Sequence, residues 1–238
     1  MTSGLAKRSW TLGGVRRHWR RAWQRTISYL RRHWKPLTGA LILSLLALFY
    51  TFPHDLEWSR LIRGNGEHQK LAKGIGAWGN VAQYNVLIVL VIWLCGEIWK
   101  SNYLRRLAMM TVVATILAGV FCNAFRFSLG RPRPFTGEPC MAFHGPQPKA
   151  RFHGFPSGHV STAFGTAIPV LIALPEVGVP VTLFAAGMSW ARMCDRQHYP
   201  SDVWVGAWIG TLFGIAAGVP MWRVRKRLCQ RKIRKRRV

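Results

Sequence analysis

Apolar residues collect in six long runs along the chain, and short polar segments separate the runs. A helix that spans a bilayer needs about 20 such residues, within a range of about 17–25. We therefore predict an all-α, polytopic membrane protein with six transmembrane helices and, ahead of them, an amphipathic helix. The predicted helix cores are Leu37–Phe52, Val81–Trp99, Leu107–Phe125, Val160–Leu174, Val179–Met193 and Val203–Trp222.

The six runs differ in length, and the difference indicates where function lies. The second, third and sixth runs are long enough to span a bilayer, while the first, fourth and fifth are short. A short helix is tolerated in a membrane where its end lies in a crevice lined by protein. We therefore expect functional chemistry at the ends of the short helices.

Charge sets the orientation of these helices. The formal net charge is +26, and ten basic residues lie in residues 1–36 and ten more in residues 223–238, without any Asp or Glu in either segment. Because short basic segments stay on the cytoplasmic side, both ends are expected to be cytoplasmic. The outer loops are then 53–80, 126–159 and 194–202.

Charge alone would allow nucleic-acid binding, but the apolar middle and twelve Trp favour a membrane protein without a nucleic-acid partner.

The chain divides into a basic N-terminal segment (1–36), a six-helix membrane domain (37–222) and a basic tail (223–238). In the first segment apolar residues recur at helical spacing between arginines, which predicts a basic amphipathic helix bound to anionic lipids. A cationic tail that only sets topology is the alternative. The apolar positions are Val15, Trp19, Trp23, Ile27, Leu30 and Trp34.

Several basic residues lie at the outer helix ends, where they oppose the orientation rule and so need a local purpose. An anion on the outer side is the simplest purpose. For Arg131, Lys149, Arg151 and Arg196 the alternative is anchoring to lipid headgroups. The polar clusters on this side are Arg126–Pro134, Pro156–His159 and Arg192–Asp202.

At these clusters the sequence resembles the type 2 phosphatidic acid phosphatase superfamily, over roughly residues 80–220. The family pattern is Lys-x6-Arg-Pro, then Pro-Ser-Gly-His, then Ser-Arg-x5-His-x3-Asp. Two positions depart from it, because Arg126 replaces the Lys and Ala191 replaces the Ser. The matching stretches are Arg126-x6-Arg133-Pro134, Pro156–His159 and Arg192-x5-His198-x3-Asp202.

The matched residues suit phosphate binding. Guanidinium groups keep their charge and meet phosphate oxygens two at a time. The backbone of a glycine can approach an anion closely, and the start of the following helix favours negative charge. The predicted phosphate-binding residues are Arg126, Arg133, Ser157, Gly158 and Arg192.

The resemblance and the chemistry assign the same catalytic roles. A neutral His198 would attack phosphorus and form a phosphohistidine, while Asp202 would take the proton of its other ring nitrogen. His159 would protonate the leaving alkoxide and later activate water. This scheme needs no cofactor, and the spacing of Cys and His gives no zinc pattern.

The predicted substrate is a membrane lipid phosphate whose tail stays in the bilayer, hydrolysed at the periplasmic face of a bacterial inner membrane. Phosphatidic acid, phosphatidylglycerophosphate, undecaprenyl pyrophosphate and lipid A phosphates all remain open. So do a lipid phosphotransferase, a haloperoxidase-like enzyme and a non-catalytic protein that binds anionic lipid. A disulfide between Cys140 and Cys194, both in outer loops, is possible in an oxidising compartment.

Overall fold

The computed structural model describes residues 34–63, 66–78 and 81–236. Contacts divide the chain into two compact units, residues 1–47 and 48–238, and the site lies in the second. Within the described residues the protein is all-helical, with two additional 3-10 turns at Pro134–Thr136 and Ala150–Phe152. The helices are α1 (Trp34–Thr51), α2 (Asp55–Arg63), α3 (Gly66–Trp78), α4 (Val81–Ile98), α5 (Asn102–Leu129), α6 (Gly158–Ala173), α7 (Pro175–Cys194) and α8 (Pro200–Arg236).

All six predicted apolar runs are helical, which confirms the all-α class. Three segments of the described chain are long and apolar enough to cross a membrane: Asn102–Thr136, Pro175–Cys194 and Pro200–Gln230. Three shorter apolar helices accompany them: Leu41–Thr51, Gln83–Ile98 and Gly158–Ala173. These features support an integral membrane protein. Six spans stay a prediction, and the predicted amphipathic helix before residue 34 lies outside the described residues.

The predicted outer loop 53–80 contains two helices, α2 and α3. The first turn of α2 holds Asp55 and Glu57 and its last turn Arg60 and Arg63, which matches the helix dipole at both ends. Helix α3 packs on the end of α7, where Ala72 forms a small apolar cluster with residues of that helix. Helix α2 places Asp55 beside the start of α8, where its carboxylate accepts a hydrogen bond from the backbone N–H of Ser201.

Helix α8 lies directly on α6 along a row of glycines spaced four residues apart. Residues four apart in a helix share one face, so the row gives α8 a smooth groove. A Cβ at Gly210 would lie 2.3 Å from the carbonyl oxygen of Ser161, and one at Gly206 would lie 2.6 Å from that of Ser157. The two backbones therefore touch next to the Pro156–His159 motif. The members of the row are Gly206, Gly210, Gly214 and Gly218.

Candidate functional site

The three polar clusters meet at one end of the helix bundle. His159, in the first turn of α6, interacts electrostatically with His198 and with the arginines at 126, 133 and 192. The backbone N–H of Ser157 donates to the carbonyl oxygen of Asp202 at 3.0 Å, which joins the second motif to the third. A Cβ at Gly158 would lie 3.1 Å from Nη1 of Arg126, so a side chain at this position would push that guanidinium away by a few tenths of an ångström. The structure thus brings all the predicted site residues together.

A glycine at the end of α5 turns the chain back toward the site. Gly130 has φ 62°, in the left-handed region, and its N–H donates to the carbonyl oxygen of Arg126. A Cβ there would lie 2.0 Å from the carbonyl oxygen of Gly145, so no other residue fits. This turn puts Arg126 on the last turn of the helix and Arg133 on the segment that follows it.

Arg126, Arg133 and Arg192, here called the arginine cluster, hold positive charge that no salt bridge neutralises among the described residues, although Asp195 acts on Arg192 at longer range. All three are half-buried, and none has a carboxylate within 4.0 Å in the part of the chain that the structure describes. Arg133 donates instead to the neutral amide oxygen of Gln197 at 2.6 Å. The buried Nε atoms of Arg133 and Arg192 have no hydrogen-bond partner among the described residues. Unbalanced, half-buried guanidinium groups favour an anion.

Arg131 has a different environment from the arginine cluster. Its side chain is 0% exposed, which rules out headgroup anchoring. Nη2 donates to Oδ2 of Asp55 at 2.7 Å, and Nη1 donates to Oδ1 of Asp202 at 2.6 Å. Nη1 also donates to the hydroxyl of Ser201, and that hydroxyl donates to Asp55. We call Asp55, Arg131, Ser201 and Asp202 the buried network, and each guanidinium nitrogen of Arg131 already donates to an acceptor within the protein.

The imidazole of His198 is completely buried. Its Nδ1 lies 2.8 Å from the carbonyl oxygen of Gly154, and because a carbonyl only accepts, Nδ1 carries the proton. Nε2 therefore holds the lone pair, and it has no partner among the described residues. Burial lowers the pKa of His198, the charges of Arg133 and Arg192 act in the same direction, and Asp202 opposes them. The ring is therefore neutral near pH 7.

Asp202 lies farther from the imidazole than the sequence predicts. Its Oδ2 is 3.6 Å from Nδ1 of His198 and accepts a hydrogen bond from the backbone N–H of Tyr199 at 2.7 Å. The carbonyl of Gly154, not Asp202, is therefore the closest acceptor for the ring. At this distance the Asp202 carboxylate acts on the imidazole by charge.

Ser157 is the N-cap of α6, and its hydroxyl is buried without a partner among the described residues. Ala191, which departs from the family pattern, is fully buried near Ala72 of α3 and Cys194. A serine hydroxyl would therefore enter an apolar contact here.

Cys140 and Cys194 are both free, so the possible disulfide between them is absent.

Sequence reasoning missed two contributors to the site. Asp55 lies 76 positions before its partner Arg131, and Gly154 acts only through its backbone carbonyl. A lone aspartate in a segment taken as a loop gives no signal of burial, and a carbonyl acceptor carries no side-chain signature. Neither residue belongs to the three motifs.

Comparison with known families and proteins agrees with this geometry. The model of the PAP2 superfamily matches residues 107–226, a stretch that contains the arginine cluster, both site histidines and Asp202. The crystal structure of Aquifex aeolicus LpxE superposes with a TM-score of 0.50 and 22% identity, over 68% of this chain and 93% of that one. The second comparison supports the fold alone.

Two curated relatives are lipid A phosphatases. The lipid A 1-phosphatase of Rhizobium etli is 25% identical over 122 residues, which are 50% of this chain and 53% of the relative. The lipid A 4'-phosphatase of Bacteroides thetaiotaomicron is 32% identical over 124 residues, 48% of this chain and 55% of the relative. The chain thus spans about half the length of the curated relatives it matches.

Proposed function

The chain belongs to the PAP2 superfamily, and on that premise we propose that it is an integral-membrane lipid phosphatase that works through a phosphohistidine. The observation that carries this proposal is the unpartnered, buried Nε2 of His198 beside Arg133 and Arg192, two arginines without a carboxylate salt bridge among the described residues. A neutral nucleophile next to unbalanced positive charge suits attack on an anionic phosphate ester.

In the first step, the lone pair on Nε2 of His198 forms a bond to phosphorus. The bond from phosphorus to the lipid oxygen breaks, and His159 gives that oxygen a proton. The arginine cluster and the hydroxyl of Ser157 hold the phosphoryl oxygens, where charge accumulates in the transition state. The carboxylate of Asp202 stabilises the positive charge that develops on the imidazole.

In the second step, water attacks the phosphorus of the phosphohistidine. His159, now neutral, takes a proton from that water, and the bond between nitrogen and phosphorus breaks. Inorganic phosphate leaves, and His198 returns to its neutral form with the proton still on Nδ1. The hydrogen bond from Nδ1 to the carbonyl of Gly154 keeps the ring in one orientation through both steps.

The proposed substrate is a phosphate monoester or diphosphate of a membrane lipid. The site lies at the start of the short apolar helix α6, where a lipid can keep its tail in the bilayer while its phosphate reaches the arginine cluster. Lipid A phosphatases among the relatives support a phosphorylated glycolipid as one candidate. The basic-residue rule supports a periplasmic site in a bacterial inner membrane, with both basic ends in the cytoplasm on anionic lipid.

Phosphate release from a panel of lipid phosphates tests the proposal. Purified wild type is compared with His198→Ala and with His144→Ala, a control that removes an exposed histidine of the outer loop. We expect His198→Ala to lose nearly all activity and His144→Ala to keep it. EDTA should not reduce wild-type activity. Equal release by wild type and His198→Ala would contradict the proposal, and transfer of labelled phosphate to a second lipid would indicate a phosphotransferase.

A further inference from the structure

Asp55 lies in the first turn of α2, outside the three motifs, and its side chain is 0% exposed. Its carboxylate accepts a hydrogen bond from the backbone N–H of Ser201 at 3.0 Å, another from the Ser201 hydroxyl, and a third from Nη2 of Arg131 at 2.7 Å. Burial raises the pKa of Asp55, and these donors oppose that shift. All three of these groups donate to the carboxylate of Asp55. An ionised carboxylate can only accept hydrogen bonds, so the contacts fit the charged form of Asp55.

Arg131 lies between two carboxylates, Asp55 on Nη2 and Asp202 on Nη1. Its Nε donates to the carbonyl oxygen of Cys140 at 2.8 Å, and the ring of Tyr199 lies 4.6 Å from its guanidinium carbon. The side chain is therefore enclosed and does not bind the substrate phosphate. Its two ion pairs both lie inside the buried network.

The buried network therefore carries one positive and two negative charges, a net charge of −1 next to the nucleophile. The other charged or titratable groups that act on His198 are Arg133, Arg192 on α7 and His159 on α6, together with Asp202 itself. Among these groups Asp202 is the negative one. Without Asp55, the charge of Asp202 would be balanced by Arg131 alone.

We propose that Asp55 is a positioning residue for phosphoryl transfer: it neutralises Arg131, so that the carboxylate of Asp202 can stabilise the positive charge that develops on His198. The inference rests on the proposed function. Asp55 does not contact the substrate and acts through Arg131 and Asp202. Its role is therefore visible in the electrostatics of His198 and not only in the stability of the fold.

The acid limb of the kcat/KM profile measures this effect, because its position does not depend on the amount of active enzyme. In wild type it should lie below pH 6.5, since burial lowers the pKa of His198 and activity is lost only when the ring gains a proton. The variants are Asp55→Asn, Arg131→Gln and the double variant. They change the net charge of the buried network from −1 to 0, −2 and −1 respectively.

We expect the acid limb of Asp55→Asn to move to lower pH by about one unit, because a less negative network disfavours the imidazolium. The limb of Arg131→Gln should move to higher pH, and the double variant should return toward wild type. In Asp55→Asn, kcat should fall about tenfold, with KM within about twofold. Glu57→Gln, an exposed carboxylate on the same helix, is the control and should leave the limb in place.

An unchanged acid limb in the single variants that fold, with the wild type active, would overturn the inference and leave the proposed function intact. Loss of folding in both single variants would also overturn it, because Asp55 and Arg131 would then be a structural pair. Thermal unfolding in detergent identifies that case. If wild type releases no phosphate from any lipid tested, the proposed function itself fails.

Discussion

His198 owes its tautomer to a backbone carbonyl. The Gly154 carbonyl oxygen fixes the proton on Nδ1 and leaves the lone pair on Nε2, which is the nucleophile in the proposed mechanism. The His-x3-Asp spacing predicts Asp202 for this task, yet its carboxylate is engaged by Arg131 and by the backbone of Tyr199. In a Ser-His-Asp triad, one carboxylate both orients the imidazole and stabilises its positive charge. Here the carbonyl of Gly154 orients the ring, and in the proposed mechanism Asp202 stabilises the charge.

The two histidines should differ in their dependence on the leaving group. In the proposed mechanism His159 protonates the leaving oxygen, so His159→Ala should slow hydrolysis of a lipid phosphate by about 10²–10⁴-fold. A phenolate such as p-nitrophenolate leaves without a proton, so hydrolysis of p-nitrophenyl phosphate should decline much less. His198→Ala removes the nucleophile and should abolish both reactions. Measuring kcat on both substrates checks this, and equal losses in His159→Ala would contradict a general-acid role.

Two neighbouring arginines of the first motif, Arg131 and Arg133, have different partners. Arg133 has a neutral amide partner and keeps its charge for an anion, whereas Arg131 has two carboxylate partners. The sequence shows two similar residues on either side of Pro132, and only their surroundings distinguish them. The resemblance selects Arg133, whose charge acts on His159. The carboxylate that pairs with the buried Arg131 belongs to Asp55, which lies 76 positions away in the chain.

At the scale of helices, the apolar runs predict α1 and α4 through α8, because each of these helices contains one of the six runs. They do not predict α2 and α3, whose exposed faces carry charged residues and whose apolar positions are few. The glycine row of α8 is visible in the sequence as a four-residue repeat. What it packs against is not visible, because the contact with α6 lies about fifty positions earlier in the chain.

The glycine row should be sensitive to any added side chain. In Gly210→Val, the Cβ would meet the backbone oxygen of Ser161, which cannot move aside as a side chain can. We expect α8 to shift, the free energy of unfolding to fall by about 3 kcal/mol or more, and phosphate release to decline with it. Gly187→Val on α7 is the matched control, since a Cβ there meets nothing within 4 Å. Thermal unfolding in detergent with parallel activity assays measures both, and equal stability of the two variants would contradict this packing.

At the scale of the whole molecule, the three motifs lie at the ends of four helices, α5, α6, α7 and α8, which meet at one end of the bundle. The family match begins at residue 107, so the helices before it lie outside the shared segment. Helix α2 nevertheless supplies Asp55 to the buried network. The predicted orientation would put both basic ends of the chain on one side of the membrane and the site on the other.

Thiol labelling tests that orientation with residues of known exposure. In a Cys140→Ser background Cys229, near the end of α8, is the exposed cysteine of the described chain. Met141→Cys adds a second thiol at a position that is 56% exposed, in the loop that the orientation predicts to be outside. In intact cells a membrane-impermeant maleimide should label the thiol at 141 and leave Cys229 unlabelled.

Permeabilised cells provide the control, because both thiols should then react, and a thiol that stays silent there is inaccessible whatever its side. Labelling of Cys229 in intact cells, or protection of the thiol at 141 until permeabilisation, would reverse the orientation. The arginine cluster would then face the cytoplasm, where positive residues need no anion to account for them. The chemical argument from His198 would remain, but the substrate would have to present its phosphate from the inner leaflet.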